Sequence, residues 1–213
     1  DFNTPGIKEH CYFLDSNQQA ERFQHSLLDS FTRLHQDDNL QQSLDIAIVG
    51  GGATGVELSA ELYHVSELLK LYGLTNMSSK RMHIHLIEAG PRILPALPER
   101  IAVSAKRELL KLGVNVLEQT QVKEATEQGF ITKDEEHINA DIMVWAAGVK
   151  APDFIKDLGV FELTRSNQIQ VNKFLQSTVD ESIFVLGDCC AFTQEDGKLV
   201  PPRAQSAHQM AQC

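Results

Sequence analysis

The chain has few cysteines, a shortage of basic residues and no long apolar run. Its four cysteines, Cys11, Cys189, Cys190 and Cys213, form no CxxC pair and no metal-ligand spacing. That argues against a disulfide framework and a zinc site and points to a reducing compartment. The 19 Lys and Arg are outnumbered by 29 Asp and Glu, and a net charge of −10 would repel a phosphate backbone, so nucleic acid is not expected as a partner. Apolar stretches such as residues 46–49 are broken by charge or glycine well short of the ~18 residues needed to span a bilayer. Neither internal repeats nor low-complexity segments occur. What remains is ordinary globular composition: 42% hydrophobic and 23% charged in 213 residues, room for one large domain or a domain with pieces of another. The chain starts at Asp1 with no Met, basic leader or apolar h-region and stops at Cys213 within a helical pattern, so it reads as a piece of a longer protein.

The order of elements follows from periodicity and breakers. Ser16 caps a helix, Gln19 completes a capping box, and Phe23, Leu27, Phe31 and Leu34 give its apolar stripe, which ends near residues 37–39. Residues 44–49 are a short, β-branched, mostly apolar run of the kind buried in parallel sheets. A second helix begins at Thr54, with its stripe at Val56, Leu58, Leu62, Val65, Leu69 and Tyr72, and stops at Gly73; residues 75–81 are a polar loop. A strand at 82–88, a turn punctuated by Gly90, Pro91, Pro95 and Pro98, a helix at 99–112 closed by Gly113, and a strand at 114–117 follow. This β-α-β-α-β order calls for a parallel sheet. Short strands at 122–125, 130–132 and 137–140 replace the next crossover with an antiparallel meander, and 142–145 returns to the buried type. Beyond Pro152 apolar strands are expected only at 169–171 and 183–186, with a last helix that takes Pro202 into its first turn. The fold class is α/β, a Rossmann-like domain with a parallel sheet and a three-stranded antiparallel meander.

The chemistry is concentrated in a few segments. Four glycines fall within Gly50-Gly51-Gly52-Ala53-Thr54-Gly55, a GxGxxG directly after a strand and directly before a helix. Gly50 permits the tight turn, Gly52 lets backbone approach a pyrophosphate, and Gly55 lets helix pack on strand, while the helix N-terminus faces the anion. Glu88 ends the next strand, 33 residues past Gly55 against the usual ~20; the long helix and polar loop absorb the excess. A carboxylate there accepts ribose hydroxyls and repels a 2′-phosphate, favouring NAD(H) over NADP(H), and nearby Arg92 would soften that choice. The alternative is a surface glutamate beside a turn. Glu57 has two readings, an acid stabilising the helix N-terminus and a group facing the nicotinamide. Gly187 and Asp188 follow an apolar run, where a carboxylate suits a polyol hydroxyl or merely a turn. Gln205 and Gln209 share a face with small Ala204, Ser206 and Ala207, which suits a carbonyl ligand or a polar helix edge. His208 has the same two readings, and His83 and His85 alternate on a strand's surface face. No metal ligand set is found. Adjacent Cys189 and Cys190 are either a strained redox pair or two ordinary thiols, the second being preferred.

Together these segments resemble the type II NADH:quinone dehydrogenase family, flavoproteins with two dinucleotide-binding domains. The resemblance runs through residues 2–10, Ile48-Val-Gly-Gly-Gly-Ala-Thr-Gly-Val-Glu57, Leu86-Ile-Glu-Ala-Gly-Pro-Arg-Ile-Leu94, Val144-Trp-Ala-Ala-Gly-Val149, residues 183–188 and Ala204-Gln-Ser-Ala-His-Gln209. It implies residues 1–40 as a flank of the FAD-binding domain, 41–150 as the NAD(H)-binding domain and 151–213 as part of the FAD-binding domain. Gly50, Gly51, Gly52, Thr54, Gly55, Glu57, Glu88, Ala147 and Gly148 would then contact NAD(H). Gly187 and Asp188 would hold FAD, and Gln205, Gln209 and Glu57 would line the path of hydride and electrons from NADH through flavin to quinone. The family's first GxGxxG would precede residue 1 and a membrane-associating segment would follow residue 213. On that expectation the full-length protein is cytoplasmic and peripheral at the inner face of the membrane, with quinone and the membrane surface as partners and a homodimer compatible, while this chain binds NADH without quinone turnover. Two other readings remain open: a related flavin reductase of an iron–sulfur or disulfide partner, and a non-catalytic NAD-sensing module.

Overall fold

The fold is that of a computed structural model, which describes residues 3–36, 42–74 and 81–212. The chain divides into two compact units, residues 1–147 and 148–213.

In the first unit, a four-stranded parallel sheet is built from β1 (Leu44–Val49), β2 (Met82–Ile87), β3 (Asn115–Leu117) and β7 (Ile142–Trp145), in the order β3-β2-β1-β7. Parallel strands with helices between them bury both faces, which is why β1 and β7 are almost wholly apolar. The alternation of side chains sorts them. Leu44, Ile46, Ile48, Met82, Ile84, Leu86, Ile142 and Val144 point to one layer. There they meet α2 (Asn17–Gln36) through Phe23, Leu27, Phe31 and Leu34, α3 (Ala53–Leu71) through Leu62 and Tyr63, and α4 (Glu99–Leu112) through Ala102 and Leu109. Ala47, Val49, Ile87, Met143 and Trp145 point the other way, onto Ile7 of α1 (Ile7–His10) and onto Val122, Ala125 and Phe130. Those last residues belong to the antiparallel meander of β4 (Val122–Thr126), β5 (Gly129–Thr132) and β6 (His137–Asn139), where a crossover helix would otherwise lie.

The expected elements are present in this unit with small shifts, and details of the helices differ. The capping box at α2 is real: Gln19 N–H donates to Ser16 Oγ at 3.3 Å, while the Gln19 side-chain oxygen accepts from Asp15 N–H at 2.9 Å, one residue earlier than a strict box. The expected end of this helix at residues 37–39 and most of the expected loop at 75–81 lie outside the described residues. Residues expected as a flank pack on the sheet, Tyr12 N–H donating to Met143 O and Tyr12 O accepting from Trp145 N–H, both at 2.8 Å. On α3 the buried face is Gly55, Ser59, Leu62, Tyr63 and Ser66, and Tyr72, expected in the stripe, is 81% exposed. The small residues bring α3 close to the sheet. The two buried hydroxyls donate within the helix, Ser59 to Gly55 O at 2.7 Å and Ser66 to Tyr63 O at 2.8 Å, so burial strands no polar group.

The second unit has less regular structure: α5 (Asp153–Asp157), a two-residue parallel pair of β8 (Ile169–Gln170) with β9 (Cys190–Ala191), and α6 (Ala204–Met210). The strand expected at 183–186 is not formed. Only Val185 is buried there, Ile183, Phe184 and Leu186 are exposed, and the segment makes a single bridge, Gln176 to Phe184. Apolar character without two flanking ladders does not make a central strand. Likewise α6 starts at Ala204 after Arg203 as its cap, so Pro202 precedes the helix and is not in its first turn. Among the described residues, no helix is long and apolar enough to cross a membrane.

Candidate functional site

The sheet order places the chain's reversal of direction beside β1: the path leaves toward β2 and β3 and returns to β7 on the other side. Crevices at such switch points, outside the C-terminal ends of the strands, are where α/β sheets bind ligands. Two loops meet there, residues 50–55 after β1 and residues 146–148 after β7.

Each fingerprint glycine has its own geometric reason. Gly50 has φ of 118°, in the region open to glycine, and a Cβ added to it would lie 2.7 Å from the backbone of Ala146 and Ala147. Gly55 faces inward, where a Cβ would overlap the Gly50 carbonyl oxygen. Gly52 is the opposite case. It precedes α3 with φ of −73° and has nothing within 4 Å of an added Cβ, and no side chain caps the helix. The open approach and the uncapped N–H groups sit together, the arrangement that receives a pyrophosphate. Thr54 and Glu57 are exposed on the first turns of α3. Ala147 and Gly148 follow β7; the small side chains let Gly50 and residues 146–147 approach closely, and Gly148 turns the chain at φ of 83°.

Glu88 is aimed back at this loop. Gly51 N–H donates to Glu88 Oε2 at 2.7 Å and Gly90 N–H to Oε1 at 2.6 Å. Two backbone bonds fix the carboxylate but leave lone pairs on both oxygens for hydroxyls. The expectation for Arg92 is corrected: its guanidinium is engaged by the loop, donating to Leu94 O and Leu97 O at 2.9 Å each and to Pro95 O at 3.1 Å. Glu118, just past β3, accepts Ile93 N–H at 2.9 Å and the Lys106 ammonium. Burial pushes the Glu118 carboxyl up, but the Lys106 bond, the Ile93 N–H and the charges of Lys106 and Arg92 together hold it below the usual carboxylate range. Neither Glu118 nor the loop carbonyls had a signal in the sequence, since an Arg bound to its own loop looks the same in one dimension as an Arg facing solvent.

The other predicted residues lie in the second unit. Gly187 takes a φ of 75° and opens a single 3-10 turn with Asp188, whose carboxylate is exposed and whose carbonyl accepts from buried Gln168 at 2.9 Å. The turn packs against α6, a Cβ on Gly187 lying 3.7 Å from that of Ala207, so Asp188 and the exposed Gln205 and Gln209 share a neighbourhood. His208 bonds Gln212 across one helical turn. Cys189 and Cys190 are free thiols; Cys189 Sγ donates to Leu186 O at 3.2 Å, and burial pushes Cys190 up to about 11. Among the described residues, no group of three or more His, Cys, Asp and Glu is placed to hold a metal ion.

Residues 1–211 match the family model described as pyridine nucleotide-disulphide oxidoreductase. The chain belongs to that family. It is 48% identical to the type II NADH:quinone oxidoreductase of Haemophilus influenzae, over 99% of this chain and 51% of that protein. The type II enzyme of Staphylococcus aureus is 29% identical over 99% of this chain and 53% of its own length. The chain thus spans about half the length of these bacterial relatives. In fold it is similar to NDH2 of Plasmodium falciparum solved with NADH, with TM-score 0.72 and 23% identity over 89% of this chain and 41% of that one. An NAD-dependent persulfide reductase from A. fulgidus gives 0.70 and 24%, over 98% and 35%.

The glycine loop, Glu88 and residues 146–147 form one continuous set of contacts in the first unit. Asp188, Gln205 and Gln209 are exposed in the second.

Proposed function

We propose that the chain is the NADH-binding part of a type II NADH:quinone oxidoreductase. The observation that carries this reading is the first-unit crevice: a helix start with no side-chain cap, an empty approach at Gly52, and a carboxylate held 2.7 Å from the neighbouring Gly51 N–H. The pyrophosphate rests on the free N–H groups of α3, and Glu88 receives the adenosine ribose hydroxyls and disfavours a 2′-phosphate. Glu57, exposed one turn into α3, faces the nicotinamide side, and Ala147 and Gly148 leave room for that half of the coenzyme. The 48% identity to the H. influenzae enzyme supports NADH and quinone as the reactants over the other readings of the fold.

We assign residues 41–150 to the NAD(H)-binding domain, residues 1–40 to a flank from the FAD-binding domain and residues 151–213 to a part of that domain. FAD, when bound, supplies the hydride acceptor and passes electrons to quinone. Asp188, with its exposed carboxylate on a tight turn against α6, fits the flavin's polyol chain, and Gln205 and Gln209 give the quinone side its amide donors. The whole protein works at the membrane surface, where its quinone is dissolved. The test is a fluorescence titration of the 213-residue chain with NADH and NADPH: saturable NADH binding that is at least tenfold tighter than NADPH is expected, and equal affinity, or none, removes the reading.

A further inference from the structure

The connection from β2 to α4 is anchored more heavily than a surface turn requires. Arg92 alone donates to four carbonyls of its own loop, Nη1 to Ile93 O at 3.5 Å and Leu94 O at 2.9 Å, Nη2 to Pro95 O at 3.1 Å and Leu97 O at 2.9 Å. Glu118 holds the same loop from the β3 side through Ile93 N–H at 2.9 Å. The loop reaches the glycine turn directly, Leu94 N–H donating to Gly51 O at 2.7 Å. Leu94 makes that bond from the left-handed region, φ of 48°, which is unfavourable for a residue with a side chain and persists only where its surroundings hold it. Gly51 N–H in turn donates to Glu88, whose other oxygen takes Gly90 N–H. The bonds therefore run in series from Arg92 through Leu94 and Gly51 to the carboxylate.

We propose that Arg92 is a positioning residue for coenzyme choice. By committing its donors to the loop carbonyls, it fixes Glu88 against the glycine turn and keeps those donors from a 2′-phosphate. This deepens the NADH reading above and rests on it. An arginine suits the task because its planar fork carries five donors at fixed angles, whereas a lysine is a single rotating point of charge. A loosened Glu88 loses its bond to the ribose 2′-hydroxyl, a contact that NADPH, phosphorylated at that oxygen, does not make. Arg92 thus sharpens the preference that its charge alone would blunt.

The test is a double-mutant cycle of Arg92→Met and Glu88→Ala in the 213-residue chain, with dissociation constants for NADH and NADPH from coenzyme fluorescence and a melting temperature for each variant. Arg92→Met is expected to weaken NADH about tenfold, the scale of one lost charge-assisted bond, and to leave NADPH within about twofold. In the Glu88→Ala background the same substitution should change neither. If Arg92→Met does not fold, Arg92→Lys carries the cycle with an expected loss of about threefold in NADH, since one ammonium keeps part of the bonding. Equal weakening of both coenzymes, or the same weakening with and without Glu88, overturns the proposal, as does a larger loss for NADPH, which would make Arg92 a phosphate contact. Wild-type chain that binds no NADH removes the proposed function and this inference with it; wild-type binding with an uncoupled Arg92 removes this inference alone.

Discussion

The two units of the chain solve the same problem, the satisfaction of backbone and the burial of apolar surface, in different ways. The first closes a ladder of parallel strands and covers both faces, so Ile46, Ile48, Ile84 and Leu86 reach 1% exposure or less. The second relies on local side-chain bonds to its own backbone. Asn172 Oδ1 accepts from Phe174 N–H at 2.8 Å and Gln176 N–H at 3.2 Å, Asp180 Oδ1 from Ser182 N–H at 2.8 Å, and Asp196 Oδ1 from Lys198 N–H at 3.0 Å. Such turns satisfy polar groups one at a time and bury little. The contrast teaches where a binding site can be rigid before its ligand arrives. In the first unit the glycine loop is fixed by strands on both sides, whereas in the second Asp188 and the α6 glutamines stand on turns and a seven-residue helix.

The sharpest way to break this contrast is at the glycines. Gly55→Ala places a methyl group on the Gly50 carbonyl, so the variant should lose NADH binding by at least about 100-fold and lose stability by about 2–3 kcal/mol together. Gly52→Ala meets open space at an ordinary φ, so its melting temperature should stay near that of the wild type while NADH affinity falls, the methyl group standing where the pyrophosphate approaches. A melting curve and a titration on each separate the two. Equal losses of stability at both positions would mean that the loop is only structural.

Next is the core of the first unit, where the effect is on stability alone. Ile48 is fully buried in the central strand, between α-helices and the neighbouring strands, and Ile48→Ala should cost about 3–4 kcal/mol in chemical denaturation. Smaller again is Glu118→Gln. The folded-state carboxyl of Glu118 lies below the usual value, so its stabilising contribution is complete above the unfolded pKa of about 4.5 and is lost as pH falls through the folded value. The variant should therefore be less stable than wild type at pH 7, by about 1 kcal/mol on the scale of a charge-assisted bond. The two melting temperatures should converge as pH falls through the folded-state value. A gap that stays constant with pH would show that the Lys106 pair is not its origin.

Much of the first unit was legible in one dimension because its signals are periodic or steric. The β-branched run at 44–49, the glycine at 113 and the short strand at 130–132 are each matched by the element they predict. The glycine fingerprint was legible for the same reason, since Gly50 and Gly55 tolerate no side chain. The buried face of α3 was not, because Ser59 and Ser66 are polar letters whose hydroxyls disappear into carbonyls one turn back. Arg92 was misjudged because proximity to Glu88 says nothing of which acceptors its fork has already found. In the second unit, apolar letters at 183–186 suggested a buried strand, yet hydropathy reports only what a segment could bury, and the partner that would cover it is not encoded locally.

That last case gives the most local test, two adjacent positions in the second unit. Val185 is 5% exposed and packs with Ile169, Leu175 and Cys190, whereas Phe184 is 62% exposed although it is the larger and more apolar side chain. If burial alone decides cost, Val185→Ala should lose about 1–2 kcal/mol and Phe184→Ser less than about 0.5 kcal/mol. A buried strand through 183–186 would reverse the order, because deleting a buried phenyl ring costs about 3–5 kcal/mol. Denaturant unfolding of both variants followed by far-UV circular dichroism distinguishes the two arrangements. The slope of the transition adds a check, since a surface change at Phe184 leaves the area exposed on unfolding nearly unchanged. A costly Phe184→Ser would place the ring in a packed environment and would make the second unit more like the first than its turns and bridges imply.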